Sequence, residues 1–198
     1  TFINGEKVES TWLKIPGPAD VDGSGTEEWF YFDNNGRPVC GPEDGYEVRK
    51  IQDGYYVFNM YGEAQYGLVD IDGDFYYCGS SEGDRKCVTG KVMVDDGIDS
   101  GRTQYYFDSN GKGITGIKDN HFYYKGRLQT ADKGSKYQVF DVPGVGLRLI
   151  NSSGKVMKNT TVEDGDDQEW EVGSSGKIKE FGSDEIAEIV EPEATVNY

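Results

Sequence analysis

The chain has one histidine, three cysteines and three methionines in 198 residues. It is also poor in positive charge: 20 Lys and Arg stand against 36 Asp and Glu, a formal net charge of −16. So acidic a surface repels a phosphate backbone, which is bound by Lys and Arg neutralising it. An anionic membrane surface is disfavoured for the same reason. No nucleic-acid function is expected. No run approaches the ~20 apolar residues that span a bilayer as a helix, so membrane insertion is not expected either. The chain starts at Thr1 without a signal peptide, as a mature fragment would, and this leaves its compartment open.

The scarcity of histidine restricts chemistry. A Ser-His-Asp or Cys-His site would have to use His121, and no nucleophile motif points there. Paired carboxylates could serve glycoside hydrolysis, but nothing singles out a pair among so many. We expect no catalysis and no cofactor. Cysteines are too few and too scattered for a zinc cluster. Their odd number leaves at least one of Cys40, Cys78 and Cys87 unpaired within the chain. Cys78 and Cys87 flank the expected loop Gly79 to Lys86 and could face each other across it. Asp70-x-Asp72-x-Asp74 opens like an EF-hand loop. Phe75 then stands where glycine is needed and Ser81 where the bidentate Glu belongs, which excludes that motif. The acidic run Glu163 to Asp167 is left open to a loose surface calcium site.

Against these shortages stand 28 glycines and a 13% aromatic content that includes 14 tyrosines. Disordered chains are poor in aromatics. Only 35% of residues are hydrophobic, which argues against a large aliphatic core. The combination suits many short strands with rings packed on one another. Gln104 to Gly116 reads QYYFDSNGKGITG: an aromatic strand, a turn at Asp108 to Gly111, and a return strand from Ile114. Asn and Gly tolerate the positive φ such a turn needs, so we read a β-hairpin. Trp29 to Gly41, Tyr55 to Gly67 and His121 to Thr130 are near-copies. Gly36, Gly62, Gly83, Gly111, Gly126, Gly154 and Gly176 align as turn glycines. A unit of about 20 residues, stretched by insertions, predicts a stacked array, because a lone hairpin is marginal in water.

The expected fold is therefore all-β, a repeat array of hairpins stacked as a β-solenoid. Residues 1–25 form an irregular N-terminal capping segment, with loop chemistry from Gly17 to Gly25. Residues 26–180 hold about six or seven repeats, the last two degenerate. Residues 181–198 form an acidic tail, in which Ile186, Ile189 and Val190 at helical spacing suggest a short helix or a capping tail.

Side chains alternate across a strand. Phe30/Phe32, Tyr56/Phe58, Phe75/Tyr77, Tyr105/Phe107 and Phe122/Tyr124 are aromatic at every position, as a shared core face requires. The other face is mixed: Trp29/Tyr31, Tyr55/Val57, Asp74/Tyr76, Gln104/Tyr106 and His121/Tyr123. It is expected to meet solvent. Its rings, Trp29, Tyr31, Tyr55, Tyr76, Tyr106 and Tyr123, are the candidate ligand contacts, able to stack on sugars or cage a quaternary ammonium. The competing reading is that they pack only against the neighbouring hairpin.

The aromatic strand, Asp-x-x-Gly turn and closing glycine resemble the bacterial cell-wall-binding repeat superfamily. Trp29 to Gly41, Phe75 to Gly90 and Tyr105 to Gly116 carry the likeness best. That superfamily covers choline-binding, glucan-binding and clostridial toxin-type repeats. The resemblance implies a secreted, cell-surface module of Gram-positive type that binds a cell-wall polymer or carbohydrate, such as a glucan or teichoic acid. A structural or adhesive spacer without a glycan ligand is the alternative. Choline-binding repeats carry Trp after the closing glycine to wall the ligand cage. Here those places hold Pro42, Leu68, Lys91 and Ile117. The Leu/Ile/Val pattern with Asp53-Gly54 and Asp72-Gly73 is closer to glucan-binding or toxin-type repeats.

Overall fold

The computed structural model describes residues 2–3, 5–17, 26–79, 83–98, 101–181 and 188–195. Among them every regular element is a β-strand. The chain divides into two compact units, Thr1–Val88 and Thr89–Tyr198.

The first unit is a series of antiparallel pairs: β1 (Phe2–Ile3) with β2 (Glu6–Lys7), β3 (Thr11–Pro16) with β4 (Glu27–Phe32), β5 (Tyr46–Ile51) with β6 (Gly54–Asn59), and β7 (Gly67–Ile71) with β8 (Asp74–Cys78). In the second unit β9 (Gly90–Val94) pairs with β10 (Thr103–Phe107), and β11 (Gly116–Lys118) with β12 (His121–Tyr124). The short β13 (Arg127–Leu128) joins β10 to β12 in a five-stranded sheet. Then come β14 (Tyr137–Val142) with β15 (Gly146–Asn151), and a three-stranded sheet of β16 (Thr160–Glu163), β17 (Glu169–Val172) and β18 (Ile178–Phe181). Finally β19 (Ile189–Val190) lies parallel to β14.

This pairing corrects the expected hairpin. The main partner of each aromatic strand precedes it. Tyr105 pairs with Val92 of β9, and Trp29 with Lys14 of β3. The stretch after the Asp-x-x-Gly turn makes only an isolated bridge, as in Phe107 with Gly113. It stitches hairpins together instead. Successive N–H groups of an extended chain point to opposite sides. Gln65 N–H thus bonds the Val57 carbonyl of its own hairpin, and Ala64 N–H bonds the Trp29 carbonyl of the preceding one, both at 2.8 Å. Val88 and Cys87 repeat the arrangement on Tyr77 and Tyr55. The boundary expected at residue 25 consequently falls inside a hairpin, because Thr11–Pro16 is that hairpin's first strand. Gly17 apart, the loop expected up to Gly25 opens with Pro18, and residues 18–25 lie outside the described residues, as does Ser81.

One side-chain device builds the turns. Asp108 Oδ1 accepts from the N–H groups of Asn110 (2.7 Å) and Lys112 (3.0 Å). Asp33, Asn59, Asn151 and Asp164 do the same two and four residues on. The Arg37 backbone bond comes first among the effects that hold the Asp33 carboxyl below its ordinary range. Gly111 takes φ +81°, a left-handed conformation that strains residues with a Cβ. Two aligned glycines have other roles. Gly126 pairs with Lys125 in the tight link from β12 to β13, both at positive φ, and Gly83 has no positive φ. There the turn is replaced by a longer loop closed by a Cys78–Cys87 disulfide. Cys40 is the free cysteine, and burial raises its thiol pKa.

Both faces of the hairpins are used in packing. Phe30 and Phe32 bury one face of β3/β4 with Leu13 and Ile15. The other face, carrying Trp12, Trp29 and Tyr31, packs on Phe58, Ile51 and Ala64 of the next hairpin. The opposite face of that hairpin, through Val57, meets Val69, Cys78 and Cys87. In the second unit Phe140, Val142 and Ile150 face Phe122, and Val139 and Leu149 face Trp170, Val172 and Ile178. The mixed face is thus no solvent face in β3/β4 and β5/β6, because the next hairpin covers it.

The C-terminal segment is another departure. Ile186 lies outside the described residues, but Ile189 and Val190 are a strand on β14 rather than a helix. Val190 packs on the Phe122–Phe140 cluster. Buried Gln129 clamps the segment, donating to the Glu193 carbonyl (2.9 Å) and accepting from Glu193 N–H (2.8 Å). Backbone pairing and a buried apolar contact outweigh weak helical periodicity in so short a stretch.

Candidate functional site

The first unit contains an aromatic cleft of about 290 Å³. Trp12 of β3 and Trp29 of β4 come from one face of the first hairpin, and Tyr56 of β6 from the second. The remaining wall is Gly83 to Lys86, in the loop that the disulfide closes. Trp12 is the hub. Its ring centroid lies 4.8 Å from Tyr56, 5.2 Å from Tyr31 and 5.8 Å from Phe58, the last nearly parallel. Burial leads the effects that raise the Tyr56 hydroxyl pKa.

Charged groups of the wall are organised in pairs. Arg85 is buried and bonds Glu28 at 3.3 Å. Its guanidinium also lies 4.5 Å from the ring centre of Tyr66. Lys86 pairs with Asp53 at 3.1 Å, and that bond leads the causes of the lowered Asp53 pKa. The Lys86 stem lies across Gly54, where an added Cβ would come within 2.8 Å of it. Cys87 N–H, bonded to the Tyr55 carbonyl, ties the end of the loop to β6.

A second cleft of about 410 Å³ lies in the second unit, lined by Tyr106, Phe107, Asp108 and Ser109 with Thr89, Gly90, Ile114 and Lys118. Lys118 Nζ stands 5.6 Å from the Tyr106 ring centre, a cation–π distance.

The six rings singled out from the sequence fall into three pairs. Trp29 and Tyr31 both sit by Trp12. Tyr55 and Tyr76 are half-buried on the Val57–Val69 cluster, with Lys50 over the Tyr55 ring at 5.7 Å. Tyr106 lines the second cleft, 5.7 Å from Tyr123. Tyr123 is a correction: it is 0% exposed, and its hydroxyl accepts from Gln104. The short β13 joins its strand edge to edge with β10 in one sheet, which brings the ring against Tyr106. Burial is the first of the effects raising the Tyr123 pKa.

Two cleft rings were missed, as was the wall from Gly83 to Lys86. Tyr56 had the parity of the core face, but parity cannot show that one hairpin's core face meets another's mixed face. Trp12 stood outside the aligned repeats because ten residues of sequence separate β3 from β4. The alternation Trp12-Leu13-Lys14-Ile15, matching Leu68 to Ile71, is the signal that marks it as a first strand. His121 Nδ1 faces the Asp119 carbonyl at 2.8 Å. In the acidic run Glu163 to Asp167, the Asp164 carboxylate serves its turn and also accepts from Trp170 Nε1 at 2.7 Å.

No family model matches this chain, and no curated protein sequence does. Solved structures do. A CbpF structure in complex with ipratropium matches at a TM-score of 0.54 and 25% identity, over 85% of this chain and 48% of that one. Choline-binding protein F from Streptococcus pneumoniae matches at 0.52 and 24% over 85% and 47%. The same protein in the presence of a peptidoglycan analogue matches at 0.50 and 25% over 77% and 44%. The chain spans about half the length of these structures. Its hairpin array has the fold of the choline-binding, cell-wall-binding repeat superfamily.

Proposed function

We propose that this chain is a non-catalytic, cell-surface binding module of a secreted protein, holding a cell-wall polymer or carbohydrate in aromatic clefts between its hairpins. The observation that carries the reading is the cleft of Trp12, Trp29 and Tyr56. Ring faces are electron-rich and accept cations or the C–H faces of sugars. A concave aromatic site with a few convergent polar groups is the usual form of a small-ligand pocket. Choline-binding protein F, of like fold, is described in the presence of a tetrasaccharide-pentapeptide, which supports a wall component as the ligand. We further propose that the hairpins of about residues 26–180 wind as a β-solenoid, completed at one end by β3 and at the other by the acidic tail on β14.

A spacer role is the second reading. What favours it is the second cleft, where Lys118 lies over Tyr106 and Tyr123 is buried. Sedimentation with purified Gram-positive cell walls, and with insoluble α-glucan, separates the two at physiological salt. The binding reading expects retention on at least one of them. Recovery of all protein in both supernatants leaves the spacer.

A further inference from the structure

We infer that the outer edge of β14, together with Gln129, is an acceptor site for an extended peptide strand, and that the partner it fits is residues 189–195 of a second copy of this chain. The inference stands apart from wall binding. The chain's own segment fills the site in this structure, and its seating shows what the site reads. β14 pairs with β15 along one edge and takes β19 in parallel along the other. Main-chain bonds on a strand edge, with alternate side chains entering pockets, are how a sheet takes up a peptide. Burial in the segment alternates to match. Val190, Pro192 and Ala194 are half-buried, whereas Ile189, Glu191, Glu193 and Thr195 are exposed. Val190 packs on the cluster that holds Phe122, Phe140 and Ile150.

Gln129 reads the backbone. It is 3% exposed. Its Nε2 donates to the carbonyls of Arg127 (3.1 Å) and Glu193 (2.9 Å), while its Oε1 accepts from Glu193 N–H (2.8 Å). One donor and one acceptor aimed at a single residue is what a neighbouring strand presents. Emptying the site leaves a strand edge and a buried amide to find new partners, so the site favours being filled. The cis occupant is lightly held. β19 has two residues, and alternate side chains beyond it face solvent. Segments with so little buried apolar surface open at low free energy. The segment of a second copy makes the same contacts, because the site reads backbone and the spacing of Val190, Pro192 and Ala194. Tethering favours the cis segment through its effective concentration. Two chains of net charge −16 also repel until salt screens them. Exchange is therefore expected where the cis segment is weakened and salt is high.

The test uses full chains in about 1 M sodium chloride, where the Debye length is about 3 Å. Val190→Asp puts a charge at the inward position, which disables the segment and keeps the acceptor. Gln129→Leu keeps the bulk and removes the amide, which disables the acceptor and keeps the segment. Alone, each variant is expected to have the mass of one chain by light scattering. Mixed, the two are expected to form a one-to-one complex. A labelled peptide of residues 186–196 is expected to bind the Val190→Asp chain about tenfold or more tightly than the wild type, whose site is already filled. Adding Gln129→Leu to Val190→Asp is expected to lose that gain. Glu193→Pro, at an exposed residue, removes the N–H that Gln129 accepts from, and it takes the place of Val190→Asp if that variant fails to fold. No peptide binding to the folded segment variant overturns the acceptor site, as does equal binding by the double variant or of a shuffled peptide. Peptide binding without a mixed complex, or a complex formed by either variant alone, overturns the second copy as the partner.

Discussion

Trp12 and Tyr56 stand 4.8 Å apart, centroid to centroid, across the seam between two hairpins. The contact is both packing and cleft wall, so it links stability to binding. Aromatic pairs contribute about 0.5–1.5 kcal/mol beyond their area burial. Trp12→Ala removes contacts to Tyr31 and Phe58 as well, and is expected to destabilise the first unit by about 2–3 kcal/mol, half-burial placing it below the range for fully buried rings. Urea unfolding followed by fluorescence measures this.

Tyr106 and Tyr123 test the division between lining and core. Tyr123 is fully buried and Tyr106 half-buried. Tyr123→Ala is expected to cost about 3–5 kcal/mol, the range for emptying a buried aromatic site. Tyr106→Ala should cost less than half as much. Equal losses in urea melts would contradict the assignment.

Asp96 predicts a pH dependence. It is buried and accepts from Arg127 Nε (2.8 Å) and from the Tyr105 hydroxyl (2.9 Å). Burial alone would raise its pKa, but these bonds outweigh burial and lower it. A carboxylate with a depressed folded pKa adds stability above its unfolded value, about 3.9, and loses it as pH falls through the folded value. Stability of the second unit is therefore expected to fall as pH drops below about 4. Asp96→Asn should be destabilised at neutral pH and show a flatter acid limb, read from melts between neutral pH and strong acid.

The Cys78–Cys87 bond closes a short loop. Constraint of the unfolded chain by such a loop contributes about 2–3 kcal/mol. Mild reduction is expected to lower the stability of the first unit by that amount and to weaken ligand retention, since the same loop forms the cleft wall. Thermal melts and wall sedimentation, with and without reductant, measure the two effects.

Much of the fold was legible. Asp-x-x-Gly spacing marked Gly36 and Gly111 as turn residues, Gly62 followed Asn59 at the same spacing, and the aromatic alternation marked Phe30, Phe58, Phe75, Tyr105, Phe107 and Phe122 as buried. Pairing partners were less legible. A turn flanked by two extended stretches looks like a hairpin whether the second stretch pairs back or, as Ala64 and Gln65 do, stitches to a neighbour. The candidate site was half visible. Trp29, Tyr31 and Tyr106 line or adjoin clefts, whereas Tyr123 does not. Period-two alternation reports which residues share a face. It does not report what covers that face, and in β3/β4 and β5/β6 a neighbouring hairpin covers it. Tyr56 and Arg85 enter the cleft through contacts between hairpins that no local pattern encodes.

The central claim is that rings at a hairpin seam bind a wall polymer, and Trp29→Ala tests it most directly. Trp29 lines the cleft, while the stacking contacts that hold the seam are made by Trp12. Retention of the variant on purified cell walls and α-glucan should be measured beside its melting temperature. The account predicts at least a tenfold loss of retention, about 1.4 kcal/mol of binding, with a loss of stability smaller than that of Trp12→Ala and the chain still folded. Undiminished retention, or a loss that appears only together with unfolding, would contradict it.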